Sequence, residues 1–354
     1  MSQSHSSDQF TRRAVLAAAL TGSAVAAGLL AFPTAVLGEV SLKTSNKKSL
    51  AGIKQVRLGS VGLAFLTERR RQITVGGGFR SKGAASQATV RTDLTGLGDA
   101  DFQAAADAAY ATIEQALTAA GIEVLDNSEL ITAIAATGDV QANAKSYSFP
   151  EGNKQNSEAI IYGASVFGGF IPLPQWVPMA AGLAGIGSTG QLMAANRIEA
   201  LFAKQAQDDG VPVLAIFIGV SPVRIEADFG SDWRMPDAFG NGGLTSTGSL
   251  STETGLSSHP LLTKLELFPV KGRKGQVTMK DEIGIQGGFG SLEDTTDGVT
   301  KTAEGIGNVL SVFGGSGRQS STTRYTLIAD AGLYSKGVGV LAGDVASALA
   351  GALS

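Results

Sequence analysis

The chain contains no cysteine. That absence excludes disulfides, thiolate metal sites, cysteine nucleophiles and a lipid anchor on cysteine. Histidine is almost as scarce, with two residues in 354, His5 near the start and His259. A Ser-His-Asp hydrolase, a multi-histidine zinc site and most histidine acid–base schemes therefore lack their central group. Proline is sparse at 10 residues, and 28 Lys+Arg against 31 Asp+Glu leave a net charge of −3. The one basic tract is Glu68-Arg69-Arg70-Arg71. Phosphate backbones need a concentrated positive face, so nucleic acid is not expected as a partner. No cofactor or metal is expected either.

Glycine, by contrast, is abundant at 47 residues, and the chain is 43% hydrophobic. Much glycine with little proline suits a β-rich protein with many turns and close backbone contacts. The N-terminus carries a different signal. Arg12 and Arg13 precede an uncharged run from Ala14 to Gly38, and the first residues are polar. Charged, apolar and small-residue regions in that order form a secretory signal, with the cut near Gly38. Thr11-Arg12-Arg13-Ala14-Val15-Leu16 resembles the twin-arginine export motif, whose passengers fold before export. An ordinary Sec signal and an uncleaved inner-membrane anchor through residues 14–38 are the alternatives, since about 20 apolar residues span a bilayer. The expected location is periplasmic or extracellular. Roughly 300 residues remain after the cut, enough for one large domain.

Residues 39–52 read as a polar tether. Strands are expected at Ile53–Thr67, Ile73–Phe79 and Ala88–Leu94, where apolar residues alternate. Asp99 to Ala120 places Phe102, Ala106, Ala109, Ile113 and Leu117 on one helical stripe. Asp99 and Asp101 suit its N-terminus, and Gly121 suits the left-handed position past its end. A short strand at 122–126 and a short helix at 129–136 follow. Residues 146–157 read as a polar loop and 158–164 as a buried strand. The spacing predicts a helix from Ser188 or Thr189 to Ala206 and a long strand over 213–229, bent at Pro222. A hairpin is expected from 261–270 and 276–285, a last strand at 322–331 and a C-terminal helix at 336–353. Segments 166–187, 230–260 and 286–320 stand out as glycine-rich insertions. The β/α alternation points to an α/β fold, with α+β as the variant: a mixed β-sheet with helices packed on it, in a single domain over 53–354.

Few motifs carry chemistry. Gly76-Gly77-Gly78 lacks the lysine of a P-loop, and Gly287-Gly288-Phe289-Gly290 fails the dinucleotide fingerprint. Glu293-Asp294-Thr295-Thr296-Asp297-Gly298 lacks the ligand spacing of a calcium loop. Asp228, Asp232 and Asp237 lie near Trp233, and carboxylates beside a tryptophan suit a sugar site. The rings and side chains of Phe167, Phe170, Trp176, Met179 and Trp233 are the interaction candidates. If exposed, the 166–187 segment is a contact patch; if covered, it is irregular core packing, which is the preferred alternative.

Ala119-Ala120-Gly121-Ile122-Glu123-Val124-Leu125-Asp126-Asn127-Ser128-Glu129-Leu130 follows the long helix, and Glu158-Ala159-Ile160-Ile161-Tyr162-Gly163 forms a later strand. Together they resemble the curli secretion channel (CsgG-like) family and its periplasmic TolB N-terminal-domain relatives, over about residues 53–230. The resemblance implies a periplasmic α/β domain that assembles envelope machinery, sometimes as a ring. Asn127 stands where that family carries arginine, and there is no cysteine to lipidate, which counts against a membrane pore.

The expected function is that of an exported non-enzymatic envelope protein, an assembly, scaffold or binding component. Its partners would be another envelope protein or further copies of itself, with membrane contact left open. The alternative is an exported glycan hydrolase using Asp228, Asp232 and Asp237.

Overall fold

A single strand, β2 (Gln55–Val75), organises the sheet in the computed structural model. The structure describes residues 40–75, 86–150, 156–176, 186–234, 243–296, 301–302, 310–313 and 320–353. The export signal, Met179 and Asp237 lie outside these residues.

The first half of β2 is apolar on both faces: Val56, Leu58, Val61, Leu63, Ala64, Phe65 and Leu66 are all buried. Such a strand needs cover on both sides, which is the usual setting of a central α/β strand. Its neighbours are β4 (Glu123–Leu125, parallel), β6 (Asn156–Gly163, antiparallel) and β7 (Val213–Arg234, parallel). Beyond β6 lies β5 (Lys145–Pro150). Beyond β7 lie β9 (Lys264–Phe268), β10 (Gly275–Met279) and β1 (Leu42–Ser45), each antiparallel to the last.

Helices cover both faces. On one face Phe65 packs against Phe102 of α2 (Asp99–Ala119) and Tyr334 of α5 (Ala331–Ala350), with ring centroids 5.1 and 6.3 Å away. Asp101 of α2 reaches back to accept from the Gly98 N–H at 2.8 Å, and Asp330 caps α5 by accepting from Leu333. On the other face sits α4 (Ile186–Asp209), whose Phe202 meets Phe268 of β9 edge-on at 5.4 Å. The short α3 (Ser128–Thr137) contacts α4, and α1 (Lys47–Leu50) precedes β2.

Past Leu66 the chain leaves this three-layer arrangement. From Glu68 onward β2 pairs with β3 (Ser86–Thr95), and β3 pairs in parallel with β15 (Ser320–Ala329). β12 (Gly290–Asp294) and β13 (Lys301–Thr302) extend that side. From Val220 onward β7 pairs with β8 (Gly243–Ser258), which also takes β11 (Gly284–Gln286) and β14 (Leu310–Phe313). The two arms share a second core: Ile73, Ala88 and Val90 with Val223, Ile225, Leu250, Leu292, Tyr325 and Leu327.

The fork between the arms is held by charge. Pairing of β2 with β7 ends at Phe65 and Val220, and the register of β7 with β8 slips between Ser221 and Val223, at Pro222. Backbone carbonyls that lose a strand partner inside a protein need another donor. Arg69, with its side chain 1% exposed, donates to the Val223 carbonyl and the Ser221 hydroxyl, both at 3.1 Å. Arg71 donates to the Ile225 carbonyl at 3.0 Å. Glu282 neutralises both: it pairs with Arg69 and lies 3.7 Å from Arg71.

The fold class matches the α/β expectation, with parallel and antiparallel pairs in one sheet and helices packed on it. Several elements differ from the sequence reading. The basic tract continues β2 instead of ending it, because Arg69 has a half-buried carboxylate partner. Residues 42–45 join the sheet beside β10, so this part of the tether is a strand. Residues 146–150, part of the segment read as loop, belong to β5 and pair with β6. The 230–260 insertion is largely a hairpin arm, in which leucines 244, 250 and 256 recur at even positions among Ser and Thr. Likewise β12, β13 and β14 occupy parts of 286–320.

Replacing Arg69 by Met should lower unfolding free energy by about 3 kcal/mol, since it removes the ion-pair partner of Glu282 and a donor to the Val223 carbonyl and the Ser221 hydroxyl. Urea denaturation checks this, and a change below about 1 kcal/mol would deny the fork its role. Gly219→Ala should cost about 1–3 kcal/mol by overpacking, because a Cβ there would lie 2.6 Å from the Leu262 Cβ and 2.8 Å from the His259 Cβ.

Candidate functional site

The residues singled out from sequence fall in different places. Asp228, Asp232 and Trp233 lie on β7, opposite Ser249, Thr245 and Leu244 of β8. Asp228 and Asp232 are four residues apart along one strand, so their Cα atoms lie about 13 Å apart. Glycosidase carboxylates stand about 5–9.5 Å apart, so the strand does not bring this pair to that spacing on its own. Asp237 and Met179 are outside the described residues. Phe167, Phe170 and Trp176 are buried, at 4%, 2% and 1% exposure. Trp176 stacks on Phe217 of β7 at 5.2 Å and lies 6.5 Å from Phe170. Here the segment packs irregularly against the sheet. His259 is buried in the turn after β8, where its N–H donates to the Gly219 carbonyl.

The same buried tryptophan borders a cluster that the sequence did not flag. Side chains alternate along a strand, so Lys264, Glu266 and Phe268 of β9 share one face. Register places them beside Phe217, Ala215 and Val213 of β7 on one side. On the other side, Thr278 and Gln276 of β10 stand opposite Lys264 and Glu266. Phe268 meets α4, which fixes this as the α4 face of the sheet.

Glu266 is fully buried. One carboxylate oxygen accepts from Lys274 Nζ at 3.3 Å; the other, Oε1, has no hydrogen-bond partner among the described residues. Lys274 also pairs with Glu199 of α4 at 2.9 Å and sits 5.5 Å over the Phe268 ring. Lys264 Nζ donates to the Gln175 carbonyl, and the Gln175 side chain accepts from Gln276. Trp176 Nε1, next in the chain, is buried without a partner among the described residues.

Burial sets the electrostatics. It pushes the Glu266 carboxyl above the usual carboxylate range, although Lys274 and Lys264 pull the other way. It lowers the Lys264 ammonium to about 8, opposed by Glu266 and helped by the charge on Lys274. Burial thus works against the charged form of both side chains, which share one strand face. Elsewhere, among the described residues, no three His, Cys, Asp or Glu side chains gather as a metal ion would need.

The sequence offered one signal for this cluster. Lys264-Leu265-Glu266-Leu267-Phe268 alternates charge with leucine, which reads as an ordinary solvated strand face. Its burial comes from Gln175, Trp176 and Glu199, which lie far away in the chain.

The Lys264 amine is charged in the unfolded chain up to its ordinary value near 10.4, but in the folded chain only up to about 8. Its folded pKa is depressed, so between pH 8 and 10 the unfolded state binds more protons and stability rises with pH. Relative to Lys264→Met, the natural protein should gain about 2 kcal/mol over that window, followed by chemical denaturation at each pH. A parallel pH dependence in the two proteins would show that the amine is solvated. Comparison with known protein families, with characterised proteins and with solved structures finds no match to this chain.

Proposed function

We propose that this chain is an exported envelope protein that works without catalysis of its own, as an assembly, scaffold or binding component in the periplasm or at the cell surface. The observation that carries the proposal is the order of its parts. Arg12-Arg13 and the uncharged run to Gly38 come first, and the first paired strand among the described residues begins at Leu42. A cut near Gly38 would therefore leave every described strand of the sheet intact. No helix among the described residues is long and apolar enough to cross a membrane.

The two arms support an assembly role. Each is a long antiparallel pair, β2 with β3 and β7 with β8, extending well past the helices that cover the first half of the sheet. Arms of that length exceed what the α/β layers need, and in this reading they are where a second chain docks. The carboxylate hydrolase remains the alternative, resting on Asp228, Asp232 and Asp237 by sequence proximity alone.

Two measurements test the proposal. Arg12-Arg13→Lys-Lys should leave the protein folded but retained in the cytoplasm if export follows the twin-arginine route. A mature cytoplasmic protein that still carries residue 1 in the natural sequence would overturn export. Native mass of the mature protein, extracted gently from the envelope fraction, should show a discrete multimer or a stable hetero-complex. Glycan hydrolysis that is lost on Asp228→Asn or Asp232→Asn would instead establish the alternative.

A further inference from the structure

One edge of the sheet carries an unbalanced charge. Strand β1 is outermost, beside β10. The segments that build this edge, 40–50 and 269–280, hold seven Lys and Arg and no Asp or Glu. Neither segment is a basic tract by itself; the fold brings them together. The Asn46 side chain donates to the Lys274 carbonyl at 2.6 Å, so α1 abuts the turn between β9 and β10. A Cβ at Gly275 would lie 2.7 Å from Leu50, the mark of the same close contact. At the other end of β1, the Lys280 N–H donates to the Ser41 carbonyl at 3.0 Å. Lys274 is committed to Glu199 and Glu266. The other six, Lys43, Lys47, Lys48, Lys271, Arg273 and Lys280, are exposed and have no carboxylate partner among the described residues. Glu39 and Asp281 flank the segments in the chain, and Asp281 accepts from the Ser41 N–H at 3.1 Å.

A protein surface normally mixes both signs of charge. Lysine on an edge strand deters a second sheet from pairing with it, and Lys43 serves that purpose. The other five lie outside the strands, in α1, in the β9–β10 turn and just past β10, where no such guard is needed. Elsewhere Arg57, Arg91, Arg197 and Lys204 each have a carboxylate partner. The chain that precedes the edge adds a second observation. The uncharged run from Ala14 to Gly38 ends four residues before Leu42, where β1 starts. Four residues span at most about 14 Å. Whenever that run lies in a bilayer, the edge is held within about two Debye lengths of the lipid headgroups.

We propose that the β1 edge, with α1 and the β9–β10 turn, docks on an anionic lipid bilayer and binds its phosphate headgroups. The proposal rests on the envelope reading and names a partner for it. The cations are strung along β1, whose rise from Ser41 to Ser45 is about 14 Å, so they form a surface and not a pocket. Lipid phosphates make an extended negative plane, and each Lys or Arg brought to it strengthens binding about fivefold. An anionic bilayer meets all six cations at once, whereas one small anion meets only the nearest. Docking of this kind is peripheral, in keeping with the absence among the described residues of a helix long and apolar enough to cross a membrane.

The test uses the chain from Glu39 onward, which contains every described element, and sedimentation with phospholipid vesicles. At about 0.1 M salt it should bind phosphatidylcholine vesicles carrying about 30% phosphatidylglycerol about tenfold or more tightly than pure phosphatidylcholine. Salt at about 0.5 M should release it. The combined changes Lys47→Gln, Lys48→Gln, Lys271→Gln and Arg273→Gln should weaken binding about a hundredfold. All four side chains are exposed, so the fold, followed by circular dichroism, should persist. Lys145→Gln on β5 with Lys336→Gln on α5 removes two exposed cations elsewhere and should change binding by less than about twofold. Equal affinity of the natural sequence for neutral and anionic vesicles overturns the proposal, and so does undiminished binding by the folded quadruple variant. Tighter binding to a short DNA duplex than to the anionic vesicles overturns it as well. A cytoplasmic protein that keeps residue 1 overturns export without touching vesicle binding, so the two readings fail separately.

Discussion

A buried guanidinium decides how far this sheet can extend. Strands β2 and β7 lie side by side up to Phe65 and Val220 and then part. Parting exposes carbonyl groups inside the protein, and without donors each would carry a desolvation cost. Arg69 spans the gap and Glu282 balances its charge. Above this point the second core of Ile73, Val90, Val223 and Leu250 fills the space between the arms. The two halves of the molecule thus use opposite chemistry at their junction. The lower half is held by rings and aliphatic side chains under helices, and the fork by a charge pair that no apolar residue could replace in the same way.

Close approach is the second constraint. Several glycines stand where a methyl group would collide. At Gly59 a Cβ would lie 2.6 Å from Val213 and 2.9 Å from Phe202, so α4 rests directly on the backbone of β2. Within α5, a Cβ at Gly337 would collide with the Phe289 ring and lie 2.9 Å from Leu256. Gly339 leaves its carbonyl open to the Thr112 hydroxyl of α2 at 2.8 Å. Gly337, which argues against a helix over 331–350 on propensity alone, is therefore a residue that lets it dock.

Local pattern made much of the α/β half legible. The stripe of Phe102, Ala109, Ile113 and Leu117 marked α2, Gly121 does adopt a left-handed conformation (φ 78°), and Pro222 marked the slip in β7. What stayed hidden depends on distant partners. Glu68 to Arg71 reads as a strand end because Glu282 lies more than 200 residues away. The Ser/Thr alternation of β8 reads as loop because its apolar partners are on other strands. The Lys264–Glu266 pair reads as solvated because nothing nearby announces that Trp176 and α4 will cover it. Sequence flagged the acidic residues of β7 instead, whose strand spacing separates them.

The parallel pairing of β3 with β15 also dictates an order of events during synthesis. Thr95 donates to the carbonyl of Leu327, 232 residues later, and α2 waits for α5 in the same way. At about 5–20 residues per second, a ribosome needs roughly ten seconds or more to supply those partners. Throughout that interval one edge of β3 and the apolar stripe of α2 lack their final cover. High contact order of this kind slows folding and leaves strand edges open to other chains. The first third of the chain thus waits for its final partners until the last helix has been made.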